Sequence, residues 1–173
     1  MKKILVVVDM QNDFVRGSLA NNEAVKIIPN IIKKINTYPL ENRFATRDTH
    51  FENYMETMEG KKLPVLHCIK NTKGWEIIDE IKSFINTENI IDKTIFGAID
   101  LVNILKKHDK KENIEIELVG VCTDICVISN AILLKTYFPE REIIVDSKCC
   151  AGVTADKHKA ALEIMKSCQI EVI

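Results

Sequence analysis

The chain has 173 residues, 46% of them hydrophobic, and its 24 basic and 25 acidic side chains leave a net charge of −1. This length and apolar content suit one globular domain over residues 1–173 with a sizeable core, and the dispersed, balanced charge argues against a nucleic-acid partner. No stretch approaches the roughly 20 apolar residues that span a bilayer, and the apolar run after Met1-Lys2-Lys3 stops at Asp9, too short for a secretory leader. No membrane partner and a cytoplasmic location are expected.

In chain order, the pattern predicts a strand over Ile4–Val8, a helix over Ile27–Thr37 and a strand over Arg43–Thr46. A long, poorly patterned segment, Asp48–Gly74, contains a weak strand over Pro64–Cys68; such a stretch more often marks a functional loop than a packed element. Then follow a helix over Glu76–Phe84, a weak strand over Asn89–Asp92, a helix over Ile99–His108 and a β-branched strand over Ile114–Val119. The chain closes with a helix over Asp124–Phe138, a strand over Glu142–Val145 and a helix over Ala155–Ser167 with Thr154 as its N-cap. Strands alternating with helices imply right-handed βαβ units and a mostly parallel sheet covered on both faces.

Six cysteines (Cys68, Cys122, Cys126, Cys149, Cys150 and Cys168) lie in or beside apolar segments of a chain without an export signal, so reduced thiols are expected. Cys126 falls in the first turn of its predicted helix, just past a strand end, where free N–H groups and the helix dipole favour a thiolate and can bind an oxyanion. The same segment also fits an ordinary buried thiol. Ligands in open parallel sheets bind outside the carboxyl ends of the strands. At those ends stand Asp9, Arg47-Asp48-Thr49-His50, Lys93 and the Cys126 turn. Each has a dull reading alone; together an acid, a lysine and a cysteine make a nucleophile with its base and cation.

These residues resemble a known family. Asp9-Met-Gln-Asn-Asp-Phe14 with Gly17-Ser-Leu19, Thr46-Arg-Asp-Thr-His50, Lys93 and Gly120-Val-Cys-Thr-Asp-Ile-Cys-Val127 look like the isochorismatase-like cysteine hydrolases, which include the nicotinamidases. The likeness runs from Asp9 to about Thr154 in the family's order. It implies a six-stranded, doubly wound α/β fold and a catalytic triad of Asp9, Lys93 and Cys126. It also implies an oxyanion hole from the backbone N–H groups of Cys122 and Cys126, with a cis peptide at Val121–Cys122. Relatives that cleave vinyl ethers lack the cysteine, so its presence favours carbon–nitrogen bond hydrolysis. The expected activity is conversion of nicotinamide to nicotinate and ammonia in NAD salvage, through a thioester. The alternative is hydrolysis of another small amide, carbamoyl or ureido compound. A non-enzymatic interaction module is a third class, against which the intact triad speaks.

The resemblance further implies one divalent metal ion. Asp48, His50 and His67 occupy ligand positions, Tyr54 stands where a further histidine is usual, and Glu59 is the candidate fourth ligand. Zinc, iron and manganese suit such a set about equally, although two loop histidines can also be ordinary polar residues. His108 and His158, in lysine-rich helical stretches, are expected to face solvent. Phe14 matches an aromatic that packs on the substrate ring in nicotinamidases, and Tyr54, Trp75 and Phe96 are candidates for a second. The expected partners are a small-molecule amide and further copies of the chain in a homo-oligomer.

Overall fold

The computed structural model describes residues 1–173. Its elements are β1 (Lys2–Val8), α1 (Asn12–Val15), α2 (Asn22–Ile35), β2 (Arg43–Asp48), α3 (Met58–Lys62), α4 (Asp79–Lys82), β3 (Ile90–Lys93), α5 (Ile99–Asp109), β4 (Ile114–Val121), α6 (Ile128–Tyr137), β5 (Ile143–Ala151), α7 (Ala155–Ser167) and β6 (Glu171–Val172). Six strands pair in the order β3-β2-β1-β4-β5-β6, every neighbouring pair parallel. This is the doubly wound α/β sheet that the motifs imply.

Burial on both faces explains the strand composition, because parallel strands under helices read as continuous apolar runs. In β1, Ile4, Val6 and Val8 point toward Leu101, Leu105, Leu134 and Met165 of α5, α6 and α7. Leu5 and Val7 point the other way, toward Ile28, Ile31 and Ile35 of α2 and Ile81 of α4. Gly120, near the end of β4, has φ +120° and lies so close to β1 that a Cβ there would meet the Val8 carbonyl oxygen at 2.1 Å. Only glycine permits that approach, which brings the ends of the two central strands together.

Several expectations need correction. Pro64–Cys68 is not a strand; it runs irregularly to a lone bridge between His50 and Ile69, and Cys68 takes φ +47°. The sixth strand is instead the two-residue β6, too short to leave a periodic signal, which pairs with Ile144 and Val145. The helix expected over Glu76–Phe84 shrinks to α4, because Ile77 is drawn into a bridge with Gln11 and buried. Helix α2 starts at Asn22 rather than Ile27, since the Asn21 side chain accepts the Glu23 N–H at 2.9 Å and caps a polar first turn. The helix expected from Asp124 opens as a π-helical turn, Thr123–Val127, and becomes α-helical only at Ile128. No helix is long and apolar enough to cross a membrane.

Candidate active site

Four strand ends supply the reactive groups. Asp9 follows β1, Asp48 closes β2, Lys93 closes β3, and Cys126 sits in the π turn after β4. The parallel register sets Asp48 directly beside Lys93. Lys93 is 4% exposed, and its Nζ lies 2.8 Å from Asp9 Oδ2, 3.1 Å from Asp48 Oδ1 and 3.5 Å from Cys126 Sγ. Asp9 is fully buried with φ +49° and takes a hydrogen bond from the Thr46 hydroxyl at 2.6 Å on Oδ1. Its Oδ2 meets the Lys93 charge but receives no aligned hydrogen bond, which leaves a lone pair for another proton.

Electrostatics follow from this crowding. Burial lifts Asp9 above the usual carboxylate range against the pull of Lys93. Burial alone would lower Lys93, but the charges of Asp9, Cys126 and Asp48 outweigh it, so the ammonium persists. Burial and the Asp9 charge push the Cys126 thiol well above its ordinary value, and Lys93 offsets only part of that. Burial and the Asp9 charge thus oppose the thiolate that the helix start and Lys93 favour, and Asp9 stands near enough to accept the Cys126 proton. The Val121–Cys122 peptide is cis, and the Cys122 N–H gives no hydrogen bond to any backbone carbonyl.

Asp48 faces two ways. Its Oδ1 meets Lys93, while its Oδ2 lies 2.9 Å from His50 Nε2 and 3.6 Å from His67 Nε2. His50 Nε2 is also 3.8 Å from Glu59 Oε1. Ligand atoms of Asp48, His50, Glu59 and His67 all lie within 4.8 Å of one another. His67 Nδ1 hydrogen-bonds the Val65 carbonyl at 2.8 Å, which leaves Nε2 to face the cluster. Two imidazole nitrogens and two carboxylates converging at that range fit one divalent ion. Despite its burial, Asp48 stays well below the usual carboxylate range because both histidines hydrogen-bond it.

A cavity of about 560 Å³ opens over this cluster, lined by Phe14, Asp48, His67, Phe96, Cys122 and Cys126 among others. Phe14 stands 5.7 Å from the His67 ring. Tyr54, an expected substrate contact, does not line the cavity. It is fully buried behind the Asp48–His50–Glu59–His67 group, its ring 4.6 Å from His50 and 5.0 Å from His67, with its hydroxyl donating to the Leu63 carbonyl at 2.9 Å. Trp75 is likewise structural: its indole N–H donates to Thr49 Oγ1 at 2.8 Å and the Arg47 guanidinium lies 3.6 Å above its ring. His158 is not solvent-facing as expected, since its Nδ1 pairs with Thr123 Oγ1 at 2.8 Å. His108 is half-buried beside Lys2.

Sequence reasoning missed two supporting residues. Thr46 holds Asp9, and Gln11 clamps the loop: its amide donates to the carbonyls of Asp48 and Trp75, each at 2.8 Å, and accepts the Asp48 N–H at 2.7 Å. The signal for Gln11 was its place two residues after Asp9, inside the first motif. A larger, more open hollow of about 800 Å³ lies at the amino ends of β1 and β4, among Met1, Lys3, Lys34 and Glu117. Its amines are already paired with Glu112, Glu115 and Glu117, and none of the reactive groups is there.

The profile of the isochorismatase domain matches residues 3–173. The chain is 25% identical to the nicotinamidase of Schizosaccharomyces pombe, over 98% of this chain and 91% of that one. It is 28% identical to the pyrazinamidase of Pyrococcus horikoshii, whose crystal structure in complex with zinc aligns with a TM-score of 0.82 over 100% of this chain and 99% of that one. It is 25% identical to the N-carbamoylsarcosine amidase of Thermoplasma acidophilum, with a TM-score of 0.79 over 99% and 95% of the two chains. With a match over nearly its whole length, carrying the family's motifs at the strand ends where they face one cavity, the chain belongs to the isochorismatase-domain family.

Proposed function

We propose that the protein is a cysteine-dependent amidohydrolase that converts nicotinamide to nicotinate and ammonia. One observation carries the reading: a cysteine–lysine–aspartate cluster and a four-donor metal cluster share the Asp48 carboxylate and open into the same cavity. The relatives named nicotinamidase and pyrazinamidase support it.

Asp48, His50, Glu59 and His67 would hold the ion, and the zinc complex of the Pyrococcus protein favours zinc over iron or manganese. When bound, such an ion supplies a Lewis-acidic anchor for the pyridine nitrogen. Phe14 and Phe96 flank the ring and keep water from it. The carboxamide carbon then lies against Cys126. As Sγ attacks, its proton passes to Asp9, whose elevated pKa suits a base that must soon return it. Lys93 holds its positive charge between the carboxylate and the sulfur and steadies the developing anion. The carbonyl oxygen becomes an oxyanion and meets the Cys122 and Cys126 N–H groups, each worth roughly 3–4 kcal/mol in such sites. Asp9 next protonates the departing ammonia. Water, deprotonated by the same carboxylate, cleaves the thioester and releases the acid and the thiol.

The test is ammonia release from nicotinamide together with the metal content of the purified protein. Turnover with one equivalent of divalent metal is expected. The Thermoplasma neighbour favours a second reading, in which a carbamoyl compound is the substrate. Metal-free protein that ignores nicotinamide but hydrolyses N-carbamoyl amino acids would select it.

A further inference from the structure

We propose that His158 is a positioning residue for the nucleophile turn, acting through the hydroxyl of Thr123; the inference rests on the amide hydrolysis proposed above. Thr123 follows Cys122 directly and opens the π turn that carries Cys126. It is fully buried, and its hydroxyl has a single hydrogen-bond partner, His158 Nδ1 at 2.8 Å. That contact is one of a set that docks the start of α7 behind the turn. The Val153 N–H donates to Asp124 Oδ1 at 2.8 Å, and the Asn21 amide donates to the Gly152 carbonyl at 2.8 Å. Between them Gly152 packs so closely that a Cβ would lie 2.8 Å from Asp124 Oδ1 and 2.9 Å from His158 Cβ. The Val153 link uses backbone, which most residues there could supply; the Thr123 link needs a particular side chain.

The same stretch of chain also faces the substrate, because Val153 and Lys157 line the cavity. Residues 152–158 thus form a wall whose front meets the ligand and whose back fixes the turn. Burial, aided by the Lys159 charge and opposed by Asp124, holds His158 below the usual histidine value, so the link to Thr123 is made by a neutral ring at pH 7. Removing the ring would strand a hydroxyl in a fully buried position. The turn would move until that hydroxyl found another partner, and the adjoining Cys122 peptide would move with it. The Cys122 N–H is used most when charge develops on the carbonyl oxygen, so the loss falls on kcat rather than KM.

The experiment compares His158→Leu, His158→Asn, Thr123→Val and the double variant His158→Leu/Thr123→Val in two assays. The first is kcat and KM for ammonia release from nicotinamide. The second is affinity for pyridine-3-carbaldehyde. There a carbon–sulfur bond forms to Cys126 Sγ, the carbonyl pair moves to oxygen, and the thiol proton is taken up within the adduct. His158→Leu should lower kcat about tenfold, a fraction of the roughly 10²–10³ that losing a whole oxyanion donor costs. KM should hold within about twofold, and aldehyde affinity should weaken about tenfold alongside kcat. His158→Asn, whose amide reaches the place of Nδ1, should recover most of both. The double variant should be no worse than Thr123→Val alone. Unchanged kcat in His158→Leu, failure of Asn to rescue, or losses that multiply in the double variant would each overturn the proposal. If His158→Leu does not fold, the comparison of His158→Asn with Thr123→Val decides in the same way. A wild type that binds the aldehyde but ignores nicotinamide would remove the nicotinamidase reading alone, leaving the aldehyde series to judge His158. A wild type inert to both would overturn the two together.

Discussion

Two clusters on the sheet carry the same motif and do different things with it. At the carboxyl end, Lys93 sits between Asp9 at 2.8 Å and Asp48 at 3.1 Å, with Cys126 beside it. On the α2 face of the sheet, Lys34 sits between Glu117 at 2.7 Å and Asp146 at 2.9 Å, with Cys149 3.4 Å from Asp146. The contrast lies in what the cysteine meets and in what the cluster leaves open. Cys126 touches the cation, occupies a turn beside the free Cys122 N–H, and faces a cavity. Cys149 touches a carboxylate, lies within β5, and is raised to about 12 by burial and Asp146. Tyr38 closes the Lys34 cluster by donating to Glu117. A lysine between two acids is thus a structural clamp unless a nucleophile, an oxyanion donor and an opening are added.

Substitution at equivalent places should break that symmetry. Cys126→Ala should reduce ammonia release to background with the fold intact, whereas Cys149→Ala and Cys122→Ala should keep most activity. Wild-type rates in Cys126→Ala would remove the assignment altogether. Lys93→Met should lower kcat by about 10³, and its combination with Asp9→Asn should add little further, as for residues that act as one unit. It should also slow alkylation of Cys126 at pH 7, because the one charge that favours the thiolate is gone. Lys34→Met should leave kcat unchanged but cost up to about 3 kcal/mol in a denaturant melt, since two buried carboxylates lose their partner.

Metal removal touches only the carboxyl end. A chelator should lower turnover of nicotinamide by about 10² without unfolding the protein, and added zinc should restore it. His50→Ala and His67→Ala should lose stoichiometric metal. Imidazole ligands must be neutral. Burial tends to lower His67, but its bond to Asp48 outweighs that and raises it. Protons should therefore begin to compete with metal above the ordinary histidine range and displace it as pH falls through that range. Metal content unchanged in both variants would detach these residues from the ion.

The smallest effect has opposite signs in the two clusters. Asp9 is raised, so its ionisation costs stability that appears as pH rises above the usual carboxylate range and is absent in acid. Asp146 is lowered because, despite its burial, the Lys34 hydrogen bond favours its charge; its contribution is present above about pH 4 and lost as pH falls. At pH 7, Asp9→Asn should therefore stabilise the fold while abolishing turnover, and Asp146→Asn should destabilise it. Thermal melts at pH 7 and pH 4 separate the two cases.

Much of this was written in the chain. The apolar run Ile4–Val8 and the β-branched, alternating run Ile114–Val119 read as strands, and the residues just past them, Asp9 and Cys126, fall at the binding edge of a parallel sheet. Spacing within the Asp9–Phe14 and Gly120–Val127 motifs, and the Asp48-x-His50 pair, placed the acids, thiol and imidazoles because they depend on local backbone. Other properties depended on contacts distant in sequence. Tyr54 reads as an aromatic near the ligand until the loop folds it behind His50 and His67. His158, flanked by lysines, reads as solvent-facing until Thr123 arrives 35 residues away. The electrostatic surroundings of Cys126 were likewise illegible from its helix-start position, because burial and Asp9 oppose Lys93 only once all three are packed together. Local pattern determines which groups reach the sheet edge; desolvation and pairing, which sum over every neighbour in space, decide what those groups can do there.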